Sequence, residues 1–150
     1  MERIELIEKY ISEKHITTIV HEQYLNNARE YAPGTNLYMR EMHFLVIAGE
    51  NRPASISRLA EKLDVSLGAV SQMASKLEKK GLVYRSQDPE DKRRMMVNLT
   101  EEGFKLYCSH LEYDRKSWIK MSEMMKDFSD EEIERLIYSE QIFRKALGEG

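Results

Sequence analysis

Residues 92–94 are three consecutive cations in the middle of the chain, and they follow a turn that contains Pro89. Alternating residues flank this turn, at residues 82–87 and 95–100, and this pattern predicts a β-hairpin whose charged tip stays in solvent. Ammonium and guanidinium groups bind phosphate, and an arginine at a projecting tip can enter a DNA minor groove because the potential there is negative. The hairpin tip is therefore predicted to bind a polyanion.

The segment before the hairpin carries a second set of residues suited to nucleic acid. Gly68 and Ala69 leave the start of a predicted helix over residues 66–80 nearly bare, so its backbone could approach a groove closely. Glutamine pairs bidentately with adenine in the major groove, which makes Gln72 the candidate base-contacting residue. The predicted DNA-contacting set is Ser55, Ser66, Gly68, Ala69, Ser71, Gln72, Ser75, Lys76, Arg85, Lys92, Arg93 and Arg94. Each alone could be solvated surface, and the prediction depends on their occurring together.

A pair of helices is predicted to position these side chains. Residues 55–63 form a short helix capped by Ser55, and Ser66 caps the next helix, which ends at Gly81. Apolar residues at helical spacing are expected to face inward, so that the two helices cross as a unit. These inward residues are Leu59, Ala60, Leu63, Val65, Val70, Met73 and Leu77.

Four more helices are predicted around this module. Residues 4 to about 30 form the first, a Pro-Gly turn ends it, and a second helix over residues 37–48 stops at Gly49. After the hairpin, one helix begins at Thr100, and the last begins at a capping box headed by Ser129. The predicted order is α-α-α-α-β-β-α-α, a mainly α fold with a small β-hairpin wing.

Charge is distributed unevenly along the chain. The net charge is −3, yet residues 54–100 hold nine Lys or Arg against six Asp or Glu, and the remaining residues hold fourteen against twenty. A basic middle between acidic ends favours the approach of a duplex to one face only. Asp91, which would repel phosphate, is predicted to bind either Arg85 or Arg93 and to stiffen the hairpin.

Length and composition indicate one globular domain, because 150 residues that are 41% hydrophobic can bury a sizeable core. The single cysteine, Cys108, excludes an intrachain disulfide and a cysteine-based zinc cluster, which fits a reducing compartment. The chain has no apolar run that approaches a membrane span, and its first residues do not have the pattern of a signal peptide. A cytoplasmic protein with no membrane partner is predicted.

The first and last helices carry isoleucine and leucine stripes that one winged module cannot cover. The sequence therefore predicts a homodimer, which would match the symmetry of a palindromic DNA site. The alternative is that the stripes pack against one another within a monomer.

An ordered series of motifs resembles the MarR family of bacterial and archaeal transcription regulators. The motifs are LAEKLDVS at residues 59–66, Val70-Ser71, KLEKKGLV at 76–83, DPEDKR at 88–93 and LTEEG at 99–103. The resemblance is dense from about residue 55 to residue 103, and the length and helical flanks agree over the whole chain. Many relatives carry Arg after the Val-Ser pair, where this chain has Gln72, and this difference bears on the operator sequence.

The resemblance implies a single MarR-like domain over residues 1–150, with a winged helix-turn-helix module at 37–103 and helical dimerisation regions at 1–32 and 104–150. It implies a sequence-specific DNA-binding regulator, usually a repressor, whose two recognition helices enter successive major grooves of palindromic promoter DNA. A small-molecule effector would relieve the repression. No cofactor is required for this function.

The effector is open at this point, and a divalent metal is the alternative to an organic molecule. Metal-sensing relatives hold zinc with histidines at positions similar to His43 and His110, which together with Asp114 form the candidate metal set. An organic effector would pack on apolar side chains under the DNA-binding module, although such side chains are more often core residues. The candidates for this pocket are Met39, Met42 and Trp118.

Two other classes of function compete with DNA binding. An enzyme is not indicated, because no nucleophile, base and orienting group, glycine-rich phosphate loop or carboxylate pair occurs with usable spacing. A winged helix that binds protein would not need a basic tip or a bare recognition helix. Steep salt dependence of binding to duplex DNA would separate these classes.

Overall fold

The computed structural model describes residues 2–148, which contain six helices and five short strands. In chain order they are α1 (Arg3–Leu25), β1 (Ala28–Ala32), β2 (Thr35–Tyr38), α2 (Met39–Glu50), β3 (Ala54–Ser55), α3 (Ile56–Leu63), α4 (Leu67–Lys79), β4 (Val83–Gln87), β5 (Met95–Leu99), α5 (Glu101–Met124) and α6 (Asp130–Ala146). The chain divides into two compact units, residues 1–111 and residues 112–150. The first unit contains the helix pair and hairpin that the sequence predicts, and the second contains α6.

The predicted helix caps are confirmed. The Ser55 hydroxyl accepts from the backbone N–H of Arg58 at 3.2 Å, and the Ser66 hydroxyl accepts from that of Ala69 at 3.1 Å. Ser129 heads a complete capping box with Glu132 at the start of α6. These bonds use backbone amides that have no partner within their own helices, so each cap fixes where its helix begins.

The core of the first unit lies between α2, α3, α4 and the strands. Its largest fully buried side chains include Phe44, Leu45, Leu59, Val70 and Leu77, which α2, α3 and α4 contribute. Four of the seven residues predicted to face inward are buried, and Leu63 and Met73 are partly buried against the core. The seventh prediction is wrong.

Val65 is 40% exposed, because it follows the residue at which the chain leaves α3. That residue, Asp64, adopts a left-handed conformation with φ of 52°. The reversal takes Val65 out of the helical periodicity on which the prediction rested.

The predicted hairpin is confirmed and belongs to a three-stranded sheet in the order β3-β5-β4. Strands β4 and β5 pair antiparallel from Val83 with Leu99 to Gln87 with Met95, and the short β3 pairs on the other side of β5. We call β4, β5 and the turn at residues 88–94 the wing. Because side chains alternate across a strand, Val83, Arg85 and Val97 share one face, and Tyr84 and Asn98 share the other.

Two boundaries near the N-terminus differ from the sequence prediction. Helix α1 ends at Leu25, and residues 28–38 form a second hairpin, β1-β2, whose turn contains Gly34 at φ of 77°. The Pro-Gly pair is thus a hairpin turn rather than a simple helix break. Leu37, predicted to lie in a helix, is fully buried from β2, so tertiary packing overrides the helical pattern here.

Helix α2 also continues past its predicted end. Gly49 lies inside the helix, which reaches Glu50. A methyl group on Gly49 would meet the ring of Tyr107 at 2.7 Å, so a glycine at this position permits close approach of α5. The glycine that suggests a helix end therefore serves packing instead.

No helix among residues 2–148 combines the length and the apolar character needed to cross a bilayer. This agrees with the sequence, which has no long apolar run.

Gly103→Ala is expected to lower the free energy of unfolding by about 2 kcal/mol or more, because overpacking against rigid backbone forces the chain to move. The added methyl group would overlap the backbone carbonyl oxygen of Leu82. The control is Gly68→Ala, whose methyl group has no neighbour nearer than 3.9 Å. This variant should be neutral or more stable by up to about 1 kcal/mol. Urea unfolding followed by circular dichroism, at one protein concentration, measures both. Equal stability of the two variants would contradict the packing argument.

Candidate nucleic-acid interface

The outer surface of α4 presents most of the residues predicted to meet DNA. Gln72 and Lys76 are exposed, as are Ser66 and Gly68 at the start of the helix. Ala69, Ser71 and Ser75 are half-buried beside them, and the Ser75 hydroxyl donates to the Ser71 carbonyl at 3.0 Å. The surface is therefore narrow and flat at its N-terminal end and polar along its length, which suits insertion into a major groove.

Ser55 is corrected from a DNA contact to a structural cap. Its side chain is 4% exposed, and its hydroxyl lies at the start of α3, 3.2 Å from the Arg58 amide. A buried hydroxyl that already accepts a helix N–H cannot reach a duplex without opening the helix.

The wing tip is an ordered loop in which the acids bind backbone. Asp91 accepts from both the backbone N–H and the Nε of Arg93, at 3.1 and 3.2 Å, and Asp88 accepts from the Glu90 amide at 2.9 Å. Arg94 lies 3.7 Å from Asp88. Of the two partners predicted for Asp91, the structure selects Arg93, whose side chain is nonetheless 92% exposed.

Lys92 is the tip cation that no described residue pairs with an acid. Its side chain is exposed, and no ion pair within residues 2–148 includes it. Lys92 and Arg93 therefore project from the wing with their charged groups in solvent.

Arg85 has a different environment from the tip cations. Its guanidinium donates to Glu78 on α4 through Nη2 at 2.7 Å and Nε at 3.2 Å, and its backbone N–H donates to the same carboxylate at 3.2 Å. These two hydrogen-bonding groups of Arg85 hold the pKa of Glu78 below its usual range, and slight desolvation opposes them. Arg85 thus joins the wing to the recognition helix, and its predicted DNA contact stays a proposal.

A second ion pair holds the other end of α4. Lys80 donates to both carboxylate oxygens of Glu41 at 2.8 and 2.9 Å and to the Asn36 carbonyl at 3.0 Å. Glu41 is buried and also accepts from the Tyr38 amide at the start of α2. The end of the recognition helix is therefore attached to α2 and to the β1-β2 hairpin.

A surface cavity of about 330 Å³ lies beside the recognition helix, between α4 and the start of α2. Gln72 and Lys76 line it together with Tyr38 and Arg40, and Arg40 is exposed. Sequence reasoning did not single out Arg40. A cation in the first turn of α2 was the available signal, but nothing in the sequence indicates that this turn lies next to α4.

The residues proposed for an organic effector pocket are not brought together. Met39 and Met42 are 1% and 0% exposed within the closed core of the first unit, so they are corrected to core residues. Trp118 belongs to the second unit and is exposed.

The candidate metal ligands do not form a site in the chain as described. His110 is buried, and its ring packs edge-on against Tyr31 with the ring centroids 6.0 Å apart, whereas His43 is exposed. Asp114 lies in the second unit. Within residues 2–148, no group of three or more His, Cys, Asp or Glu is placed to hold a metal ion.

Comparison with solved structures identifies the class of fold. The structure of the zinc-responsive MarR family member ZitR from Lactococcus lactis superimposes with a TM-score of 0.71 at 20% identity, over 94% of this chain and 99% of that one. FabT from Streptococcus pneumoniae, solved in complex with DNA, gives 0.68 at 23% identity over 96% of both chains. The predicted fold, a winged helix-turn-helix with flanking helices, is confirmed.

Sequence comparison gives the family. The MarR family profile matches residues 37–95. The HTH-type transcriptional regulators YhjH and YfiV of Bacillus subtilis are each 30% identical, over 115 and 112 residues, which is 77% and 75% of this chain. The matches span 64% of YhjH, just under two thirds of its length, and 68% of YfiV. The chain belongs to the MarR family, a family of transcriptional regulators rather than enzymes.

Glu78→Gln is expected to destabilise the protein in a pH-dependent manner. A carboxyl group whose pKa is lowered by folding stabilises the protein above its unfolded pKa, and that contribution disappears as the pH falls through the folded value. The difference in free energy of unfolding between the parent and Glu78→Gln should therefore shrink between about pH 5 and about pH 3. Urea unfolding across this range measures it. Glu61→Gln, on the exposed side of α3, is the control and should show no such trend. A constant difference for Glu78→Gln would exclude the ion pair as its cause.

Proposed function

We propose that this protein is a sequence-specific DNA-binding transcriptional regulator, a repressor that binds palindromic promoter DNA as a homodimer. The observation that carries the proposal is the pairing of one exposed polar helix surface, at Gln72 and Lys76, with a wing whose cations at Lys92 and Arg93 project into solvent. FabT, which shares the fold, was solved with DNA bound, and this supports the same mode of binding here. Because DNA lies in the cytoplasm of bacteria and archaea, we propose that the protein acts there.

In the proposed complex the helix and the wing have separate tasks. Helix α4 enters the major groove, where the Gln72 amide can donate to and accept from one adenine. The wing cations bind phosphate or the neighbouring minor groove, which positions the protein but carries little sequence information. Affinity and specificity should therefore respond to different substitutions.

Gln72→Ala is expected to cost about 1–3 kcal/mol at one base position and to relax preference there. Lys92→Ala should weaken binding almost equally on all sequences and reduce the slope of log affinity against log salt by about one. Binding is measured by fluorescence anisotropy on duplexes selected from a random library, at several salt concentrations.

The controls remove the same groups from exposed positions far along the chain, in Gln141→Ala on α6 and Lys9→Ala on α1. Both should bind as the parent does. Retention of parental affinity and preference by Gln72→Ala would exclude it as the reading residue, and salt-independent binding by the parent would exclude DNA as the ligand.

Dimerisation is proposed from the apolar side chains that remain exposed. On α1 these include Ile4, Ile16 and Ile19, and in the second unit they include Trp118 and Ile137, each more than half exposed. Large contiguous apolar surface of this kind marks a protein interface, and a second copy of the chain would cover it. A two-fold dimer would also present two copies of α4 to successive major grooves.

Ile137→Glu is expected to shift the protein from dimer to monomer, because a buried unpaired carboxylate disfavours an interface. Gln141→Glu, four residues further along α6, introduces the same charge at an exposed polar position and should leave the dimer intact. Sedimentation velocity measures both, and truncation after Asp127 provides a second variant that should be monomeric or insoluble. A well-folded truncated monomer with full DNA affinity would contradict the proposal.

We propose that a small-molecule effector relieves repression by altering the spacing of the two recognition helices. Two major-groove half-sites on one face of B-DNA lie about 34–36 Å apart, so small rotations of each module prevent simultaneous binding. An effector that binds one spacing better by about 1–3 kcal/mol lowers DNA affinity roughly 5–150-fold. The metal alternative through His43 and His110 has no support from the described geometry, and the anisotropy assay repeated with zinc and with a chelator decides it.

A further inference from the structure

A concave pocket of about 430 Å³ lies at the base of the wing, on the face of the sheet that carries Tyr84 and Asn98. Arg52, which precedes β3, and Phe104, in the first turns of α5, form its other walls. This wing-base pocket faces away from the side on which Arg85 binds the recognition helix. None of its residues belongs to the proposed DNA interface.

Arg52 supplies a fixed cation at the pocket. Its guanidinium carbon lies 4.7 Å from the centre of the Phe104 ring, and its Nε donates to the Gly49 carbonyl at 2.8 Å. Among the residues that the structure describes, no other group bonds to the two terminal nitrogens. These nitrogens are the donors with which guanidinium binds a carboxylate in a bidentate manner, and the two contacts hold the side chain in place for it.

The walls beside this cation are aromatic and partly open. Tyr84 is 51% exposed and Phe104 is 39% exposed, an unusual amount of ring surface for a position that packs against strands and a helix. Asn98 uses its amide nitrogen to donate to Ser86 at 2.9 Å, which leaves the amide oxygen for a hydrogen bond. Glu101 at the rim is bound by Lys105 at 2.9 Å, so its negative charge is offset.

We propose that the wing-base pocket binds a planar aromatic carboxylate. The ring of the ligand packs on Tyr84 and Phe104, and its carboxylate accepts two hydrogen bonds from Arg52. The volume suits a one- or two-ring compound, since small-molecule pockets begin at about 300 Å³. Apolar walls with one oriented charge give this class of ligand both its affinity and its orientation.

Binding here would also change the DNA affinity, an inference that rests on the proposed function. The pocket is formed by residues of β4, β5 and α5 together with Arg52, so a ligand joins the wing to the helix that follows it. Restricting the wing changes where Lys92 and Arg93 lie relative to α4. The effect requires no contact between the ligand and DNA.

The test uses 2-naphthoate, titrated into the full chain by calorimetry. Its neutral analogue 2-naphthamide and the non-aromatic anion cyclohexanecarboxylate are titrated in parallel, and each should bind at least about tenfold more weakly. Arg52→Gln and Tyr84→Leu should each weaken 2-naphthoate binding by a similar factor. The matched control is Arg29→Gln, since Arg29 lies 4.4 Å over the Tyr24 ring in another exposed cation–π pair and should bind as the parent does.

Three results would overturn the proposal: equal binding of 2-naphthoate and 2-naphthamide, no binding of 2-naphthoate at millimolar concentration, or equal losses in Arg52→Gln and Arg29→Gln. The comparison of ligands on the parent decides the matter even if a variant does not fold. Operator affinity is then measured with and without 2-naphthoate. Failure of the parent to bind DNA at all contradicts the proposed function and leaves the calorimetric result intact, whereas DNA binding that 2-naphthoate does not change contradicts only the coupling to the wing.

Discussion

The hydroxyl of Thr100 connects the three elements on which the DNA-binding unit depends. It donates to the Gly81 carbonyl at 2.7 Å, where the recognition helix ends, and accepts from the Gly103 amide at 3.1 Å, where α5 begins. The Thr100 backbone N–H donates to Leu82 at 3.0 Å, directly before the wing. One residue therefore fixes the end of α4, the return of β5 and the start of α5 relative to one another.

Two ion pairs complete the attachment of α4, and their contribution is orientation more than stability. The pair of Glu78 with Arg85 is partly exposed, and exposed pairs contribute only about 0–1 kcal/mol. The pair of Glu41 with Lys80 includes a buried carboxylate, so loss of the lysine would leave that charge without its ionic partner. A helix held at both ends by directional bonds presents its outer surface at one angle, which base recognition requires.

Local signals in the sequence were sufficient for the elements that build the helix pair and the wing. Caps at Ser55, Ser66 and Ser129 act within a few residues of themselves, so sequence reveals them directly. The β1-β2 hairpin was missed because its evidence is tertiary: Leu37 is buried from a strand although it also fits a helical stripe. Gly49 was misread for the same reason, since the ring of Tyr107 that requires a glycine lies in a distant helix.

The candidate site shows the same division between local and distant information. Exposed positions on α4 and the wing follow from periodicity, whereas the partner of Arg85 and the position of Arg40 beside Gln72 depend on how elements pack. Met39 and Met42 were candidates for a pocket because apolar side chains at helical spacing fit a cavity wall and a filled core equally well. Only packing separates the two, and here both residues are in the core.

The wing tip shows why composition alone does not describe its charge. Residues 88–94 contain three acids and three cations, so the tip is formally neutral. The acids, however, serve the loop itself: Asp88 and Asp91 accept from backbone amides within it, which turns their charge toward the chain. Lys92 and Arg93 project outward instead. A neutral segment thus presents a basic surface, because potential at short range depends on which charges a ligand meets first and less on their sum.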